Sequence, residues 1–307
     1  MIKYFQKAFK ITNENIILTT PLVFFLLLFS VYLGLSQNAP SNVLSEILLL
    51  ITILFMISAF FAGWFFMVKK AIELDKQEFI IDEDKAKASF NLIKEVPLGI
   101  GEYFLSFIGA LLLYVGLLLL LLFIGYQVGM HFIGNAGLSF DEIKTAMTSQ
   151  ETLKIFVESL SKEQLAKLNL WNFLFMGVMG VYYFITMFWP AQIVLKTKNP
   201  LIAFFKSLKF TFKNFLSAVI LFVYISIINF MISLIVSYST MKPAVSFIPM
   251  IAYLVSMLLY FYFVVYVIVL IFLYYDGETN EKTKDNCNSG SDSNGQDQLC
   301  DTDSKGD

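Results

Sequence analysis

Apolar and polar positions follow one another along this chain in long blocks, and six of the apolar blocks are long enough to cross a membrane. A spanning helix needs about 20 predominantly apolar residues. The six blocks lie at about residues 16–35, 43–68, 103–126, 170–195, 215–236 and 247–275. The pattern therefore predicts an all-α polytopic membrane protein, with a six-span domain at residues 1–275.

The stretch from Asn199 to Phe215 has three distinct faces when it is drawn as a helix. The apolar face consists of Leu201, Phe204, Phe205, Leu208 and Phe212, the basic face of Lys206, Lys209 and Lys213, and the small face of Ala203, Ser207 and Thr211. This pattern is typical of a helix that lies in the membrane interface and leads into a spanning helix.

Two polar segments and one proline add detail to the predicted arrangement of six spans. Residues 127–169 contain the capping-box patterns Ser139-x-x-Glu142 and Ser161-x-x-Gln164, which predict two or three short amphipathic helices. Pro190 is expected to kink or end the fourth span. Residues 276–307 are rich in Gly, Ser, Asn and Asp, so we predict a disordered acidic tail there.

Composition supports the membrane class, and the lysines predict an orientation. The chain is 57% hydrophobic and 15% charged, whereas soluble domains have about 25% charged residues. All 22 basic residues are lysine. Fourteen of them fall before the first span and in the second and fourth connections, against five in the other connections. The positive-inside rule then predicts cytoplasmic N- and C-termini and an extracytoplasmic loop at residues 127–169.

The basic amphipathic stretch has a counterpart at the N-terminus. Residues 5–16 align with residues 204–215, with five of twelve positions identical. A weaker third copy lies at residues 87–94. One interpretation is three parallel repeats, each an interfacial helix followed by two spans. The alternative is that any Lys- and Phe-rich amphipathic helix resembles another in a chain of this composition.

Both strong copies have the form [AS]-[FL]-K-x-T-x-x-N, and they precede the first and fifth spans. In this respect the chain resembles the integral-membrane domain attached to some bacterial glycerophosphodiester phosphodiesterases, and related uncharacterised six-helix membrane proteins. The resemblance covers about residues 1–275 and implies a multi-pass protein of the bacterial cytoplasmic (inner) membrane. In the phosphodiesterases catalysis belongs to a separate soluble domain, so the resemblance assigns no catalytic residue to this chain.

The chain offers few groups for chemistry. Its one histidine, His131, is at the outer end of the third span, and its two cysteines, Cys287 and Cys300, are in the polar tail. We therefore expect no catalytic residue, metal site or cofactor. No ionisable residue lies well inside a predicted span, which disfavours ion pumping because a charge at the bilayer centre costs ~3 kcal/mol or more.

Two sets of residues remain as candidates for binding. The lysines that could contact anionic lipid are Lys7, Lys10, Lys206, Lys209 and Lys213, and a polar face of the fifth span consists of Ser226, Asn229, Ser233 and Ser237. The positive-inside rule also explains these lysines, so we expect replacement of Lys206 and Lys209 to disturb insertion or stability before binding. The polar face could join helices or line a cavity.

The leading interpretation is a non-enzymatic membrane protein, acting as a scaffold or by interaction with lipids or partner membrane proteins. The alternative is a transporter or permease subunit for a neutral or hydrophobic solute, which would need a cavity beside Asn229. A membrane enzyme ranks third, because it would need clustered polar residues that the sequence lacks. A nucleic-acid partner is not expected.

Overall fold

The structure is a computed structural model that describes residues 1–36, 42–77, 79, 81–135, 137, 139–146, 148–240 and 247–289. Within these residues the regular elements are twelve α-helices and two short 3-10 turns, at Ile16–Thr19 and Leu92–Lys94. The helices are α1 (Ile2–Glu14), α2 (Thr20–Ser36), α3 (Val43–Asp75), α4 (Asp82–Asn91), α5 (Glu95–Phe132), α6 (Phe140–Ala146), α7 (Gln150–Ser159), α8 (Lys162–Thr186), α9 (Trp189–Leu195), α10 (Pro200–Lys213), α11 (Phe215–Thr240) and α12 (Phe247–Ser289).

Six helical segments of the described chain are long and apolar enough to cross a membrane. They are Ile16–Ser36, Val43–Asp75, Glu83–Phe132, Lys162–Leu195, Phe215–Ile235 and Val255–Thr279. Each overlaps one predicted span, so the predicted all-α polytopic fold is confirmed. The segments are longer than the apolar blocks in several places, because polar turns of helix extend them beyond the hydrophobic stretch.

The fourth span is interrupted near its end. α8 ends at Thr186, and α9 begins at Trp189 with Pro190 in its first turn. Proline has no backbone N–H to continue the hydrogen bonds of the preceding helix, and its ring crowds the carbonyl four residues earlier. The break predicted at Pro190 is therefore present.

The last helix differs most from the sequence-based prediction. α12 continues to Ser289, so residues 276–289, which the composition assigns to a disordered tail, are helical in the structure. The Asp276 carboxylate pairs with Lys76 Nζ at 2.8 Å, and the Thr279 hydroxyl donates to the Tyr275 carbonyl. Such bonds hold the first turns beyond the apolar block. Residues 290–307 and Cys300 lie outside the described residues.

The chain divides into two compact units. Unit 1 comprises Met1–Gly109 and Phe188–Asp307, and unit 2 comprises Ala110–Met187. In unit 1, α12 packs against α1, α11, α3 and α9. Its buried residues include Val265, Leu270 and Tyr274. Because α1 carries the N-terminal copy of the repeat, that copy forms part of the core of this unit.

Unit 2 contains the second part of α5, the loop helices α6 and α7, and α8. The Ser161 hydroxyl accepts from Gln164 N and the Gln164 side chain accepts from Ser161 N, so the predicted capping box is confirmed at the start of α8. α6 begins directly after Ser139, but the side chain of Glu142 lies outside the described residues.

The end of α5 was not apparent in the sequence. It is set by Gly134, whose φ of +76° suits glycine and whose N–H donates to Gly129 O at 3.1 Å.

Candidate functional site

The orientation of α10 decides what its three faces contact. Its small face packs inward, since Ala203, Ser207 and Thr211 are fully buried. On its apolar face Phe205 and Phe212 are 63% and 59% exposed. Small side chains let helix backbones approach closely. α10 thus attaches to unit 1 by its small face and leaves aromatic rings and lysines at the surface, as expected for an interfacial helix.

The start of α10 is fixed by local contacts in unit 1. The Asn199 side chain accepts from Ile202 N at 3.1 Å, and Pro200 occupies the favoured first turn. The Trp189 indole donates to the Pro200 carbonyl at 2.9 Å, and its ring lies 5.0 Å from that of Phe204. α9 therefore positions α10 through a buried tryptophan.

The two strong copies of the repeat end in the same way. In the first copy the Thr12 hydroxyl donates to Ala8 O at 2.8 Å and the Asn15 amide to Ile11 O at 2.9 Å. In the second, Thr211 donates to Ser207 O at 2.9 Å and Asn214 to Phe210 O at 3.2 Å. The shared threonine and asparagine of the motif thus make equivalent bonds. These bonds support the interpretation that the two stretches are copies of one unit.

The third copy shows only part of this pattern. It occupies the end of α4 and the 3-10 turn Leu92–Lys94, and it leads into α5 as the 3-10 turn Ile16–Thr19 leads into α2. Its Ser89 hydroxyl donates instead to Glu14 O, at 3.2 Å, within unit 1. The order of helix, turn and span is shared with the first copy, but the threonine bond is not.

The lysines of the first copy are engaged by a carboxylate of α3. Lys7 Nζ and Lys10 Nζ both lie 3.2 Å from the Asp75 carboxylate, whose side chain is only 5% exposed. The hydrogen bond and the negative charge of Asp75 raise the pKa of Lys10 above its ordinary value. Lys7 and Lys10 thus link α1 to α3; their side chains are still 42% and 57% exposed, and lipid contact by them stays a prediction.

The lysines of the second copy are placed differently. Lys206, Lys209 and Lys213 are exposed, and none forms an ion pair with a carboxylate of the described chain. All three line one open cavity of about 330 Å³, together with Lys196. The other lining residues are Gln192, Phe210, Asn214, Tyr275, Glu278 and Thr279. We call this cavity the basic pocket.

Three helices of unit 1 build the basic pocket. α9 and the residue after it supply Gln192 and Lys196, α10 and its cap supply the other lysines, and α12 supplies Tyr275 and Glu278. The rings of Phe210 and Tyr275 have centroids 4.6 Å apart and form part of the wall. Four lysines line the pocket against one carboxylate, while the Asn214 amide and the Thr279 hydroxyl already donate to the carbonyls of Phe210 and Tyr275. That balance suits an anion with several acceptor oxygens.

Only part of this site is apparent from the sequence. The spacing of the lysines in α10 indicates its basic face. Lys196 precedes that helix and belongs to no such pattern; it counts only among the lysines of the fourth connection. Gln192, Tyr275 and Glu278 lie far from α10 in sequence or on another helix, and no local pattern marks them. Their joint position follows from the packing of α9 and α12 beside α10.

The polar face of the fifth span is placed on the outside of unit 1. Ser226, Asn229, Ser233 and Ser237 are all exposed, whereas α11 buries Ala218, Leu221 and Ile232. The Tyr224 and Tyr266 hydroxyls meet at 3.1 Å where α11 contacts α12. The four polar residues do not line an enclosed space within unit 1, and transport stays a prediction.

The described residues also bear on a metal site and on a role for the histidine. No group of three or more His, Cys, Asp or Glu residues within it could hold a metal ion. His131 is exposed, with its ring against that of Phe132.

Comparisons of the chain with protein-family models, with curated proteins and with solved structures found no match. The resemblance to the membrane domain of bacterial phosphodiesterases therefore stays an expectation from the sequence.

Proposed function

We propose that this protein is a non-enzymatic component of a bacterial cytoplasmic membrane that interacts with anionic lipid at the cytoplasmic surface. The observation that carries the proposal is the contrast between the two copies of the repeat. In the first copy Lys7 and Lys10 are paired with Asp75, whereas in the second Lys206, Lys209 and Lys213 are exposed without a described carboxylate partner.

The surroundings of these lysines favour lipid as the partner. Phe205 and Phe212 are exposed on the same helix, next to the lysines. An amphipathic helix of this kind buries its apolar side chains at the boundary between headgroups and acyl chains, while its lysines meet the headgroups. Each lysine near an anionic surface contributes ~1 kcal/mol to the attraction.

The test measures lipid preference in reconstituted vesicles. The protein is placed in phosphatidylcholine vesicles that contain spin-labelled phosphatidylglycerol or spin-labelled phosphatidylcholine, and electron spin resonance gives the fraction of each label immobilised by protein. We expect a preference for phosphatidylglycerol in the wild type. The double variant Lys206→Gln, Lys209→Gln should lower the ratio of phosphatidylglycerol to phosphatidylcholine association toward one, since each replacement removes ~1 kcal/mol of attraction.

A matched control removes two lysines that have carboxylate partners. Lys154 lies 3.9 Å from Glu158 and Lys167 lies 2.8 Å from Glu163. The variant Lys154→Gln, Lys167→Gln has the same change in net charge and should keep most of the preference. The proposal is wrong if both variants lose the preference equally. The sequence alone favours the opposite order for Lys206 and Lys209, with insertion or stability disturbed before binding. An α10 variant that fails to insert would support that order and contradict the proposal.

A further inference from the structure

The basic pocket has the size and the composition of a site for one anionic group. Its volume of about 330 Å³ lies at the lower end of the range for small-molecule sites, about 300–1,000 Å³. A lipid headgroup fits such a volume, whereas a whole lipid does not. The pocket is next to the ends of the spans Lys162–Leu195 and Val255–Thr279, where headgroups lie.

A buried amide distinguishes this pocket from a surface patch of lysines. Gln192 is 2% exposed and lines the pocket, and its side chain has no hydrogen-bond partner within the described residues. Among the described residues the fully enclosed polar atoms without a partner are Asn15 Oδ1 and Tyr274 OH, so the Gln192 amide reaches the open space of the pocket. A ligand oxygen in the pocket would accept from this amide and give it a direct partner. Interfacial positioning of α10 does not require such a group, because it depends on exposed lysines alone.

The number of cations indicates which anion fits. The pocket has four lysines and one glutamate, so one monoanionic phosphodiester would leave an excess of positive charge. A phosphomonoester carries a charge of about −1.5 to −2 at pH 7 and three acceptor oxygens. Lysine binds phosphate as a mobile point charge, so several lysines around one group suit this ligand without arginine.

We propose that the basic pocket binds a phosphomonoester group, presented at the membrane surface by a lipid headgroup. This inference rests on the proposed lipid interaction and adds a defined site to it. Lys206, Lys209 and Lys213 neutralise the phosphate, and the Gln192 amide donates to one of its oxygens. Phe205 and Phe212, exposed on the same helix, place lipid acyl chains beside the pocket.

The test titrates the full-length protein in detergent with phosphatidic acid, with phosphatidylglycerol and with phosphatidylcholine of the same acyl chains, and native mass spectrometry gives the dissociation constants. Phosphatidic acid should bind at least about fivefold more tightly, because its additional charge gains ~1 kcal/mol or more from the lysines. Equal constants for the two lipids would overturn the pocket while leaving a general preference for anionic lipid intact. If neither lipid binds more tightly than phosphatidylcholine, the proposed function fails too.

Two single variants separate the pocket from general charge. Gln192→Met keeps the volume and the net charge and removes only the amide. It should weaken the binding of phosphatidic acid by about tenfold, which is the effect of one hydrogen bond to a charged group. The dissociation constant of phosphatidylglycerol should change by less than about twofold. Equal changes for both lipids, or none, would count against the site.

Glu278→Gln removes the one carboxylate of the pocket and should increase the affinity for phosphatidic acid by about fivefold. A gain in affinity is not produced by misfolding, so this variant tests the site even if another variant is unstable. Unchanged or weaker binding would contradict the proposed position of the phosphate.

A second arm distinguishes lipid from soluble phosphate. Thermal unfolding is followed with inorganic phosphate and with chloride at equal ionic strength. If phosphate causes no specific rise in Tm and phosphatidic acid binds tightly, the lipid source is supported. A saturable rise that is lost in the Lys206→Gln, Lys209→Gln variant keeps the phosphate site but overturns the lipid source.

Discussion

Asp75 brings together two lysines that the sequence places 68 and 65 residues away. Its carboxylate is almost fully buried, and Lys7 and Lys10 each lie 3.2 Å from it. Most ion pairs between exposed side chains contribute less than 1 kcal/mol, because water screens them. A buried carboxylate is different, since it loses its hydration and depends on its partners. The pair is therefore a structural contact between α1 and α3.

Asp75→Asn should destabilise the protein by about 1–2 kcal/mol, because an amide accepts more weakly from the two lysines. Chemical unfolding in detergent micelles measures the change. Lys10 has a raised pKa, so its contribution is present at neutral pH and is lost only as the pH rises through the pKa in the folded state. Glu158→Gln is the control, because its exposed pair with Lys154 at 3.9 Å should contribute less than about 0.5 kcal/mol. Equal effects of the two substitutions would contradict a structural role for Asp75.

At the scale of elements, α3 and α5 meet at two glycines. A Cβ at Gly63 would lie 2.7 Å from Val96 Cγ1 and 2.9 Å from Val96 O. A Cβ at Gly99 would lie 2.5 Å from Phe66 Cβ and 2.8 Å from Ala62 O. Helices in membranes associate through such small residues, because close packing replaces the hydrophobic driving force. The sequence alone did not mark these glycines as a contact.

Gly99→Ala should destabilise the protein by about 1–3 kcal/mol, because the new methyl group meets backbone and Cβ atoms that cannot rotate away. Gly101→Ala provides the control on the same helix, since nothing lies within 4 Å of its Cβ position. That change should be neutral or stabilise by up to about 1 kcal/mol through helix propensity. Unfolding of both variants under the same conditions decides the matter, and a neutral Gly99→Ala would show that the helices can separate without cost.

Hydropathy predicted the number and type of the spanning elements, because about 20 apolar residues in a row have few other stable environments. It did not predict where α3 and α12 end. α3 ends at Asp75, which pairs with lysines of α1, and α12 continues past Asp276, which pairs with Lys76; both contacts join residues far apart in sequence. The candidate site was predicted only in part for the same reason. The spacing within α10 predicted its lysines, whereas the amide of Gln192 comes from another helix and its place beside them became apparent only in the fold.

At the scale of the whole molecule, the prediction of six spans puts both termini on one side of the membrane, because the number of crossings is even. The lysine count predicts that this side is the cytoplasm, which is also the side of α1 and α10. The basic pocket and the proposed lipid interaction both depend on this orientation. Headgroups of the cytoplasmic leaflet reach the pocket only if α10 lies at the cytoplasmic surface.

Cysteine labelling in intact cells tests this orientation. In a background with Cys287→Ser and Cys300→Ser, Lys154→Cys should react with a membrane-impermeant maleimide, because α7 lies in the loop predicted outside and Lys154 is 78% exposed. Lys87→Cys is the matched control, since Lys87 is 67% exposed on α4, in a connection predicted inside, and should react only after the cells are permeabilised. Both substitutions break only an exposed i,i+4 pair, so neither should alter the fold. The reverse labelling pattern would place α10 and the basic pocket outside the cytoplasm, and the proposed ligand would then have to come from the opposite leaflet.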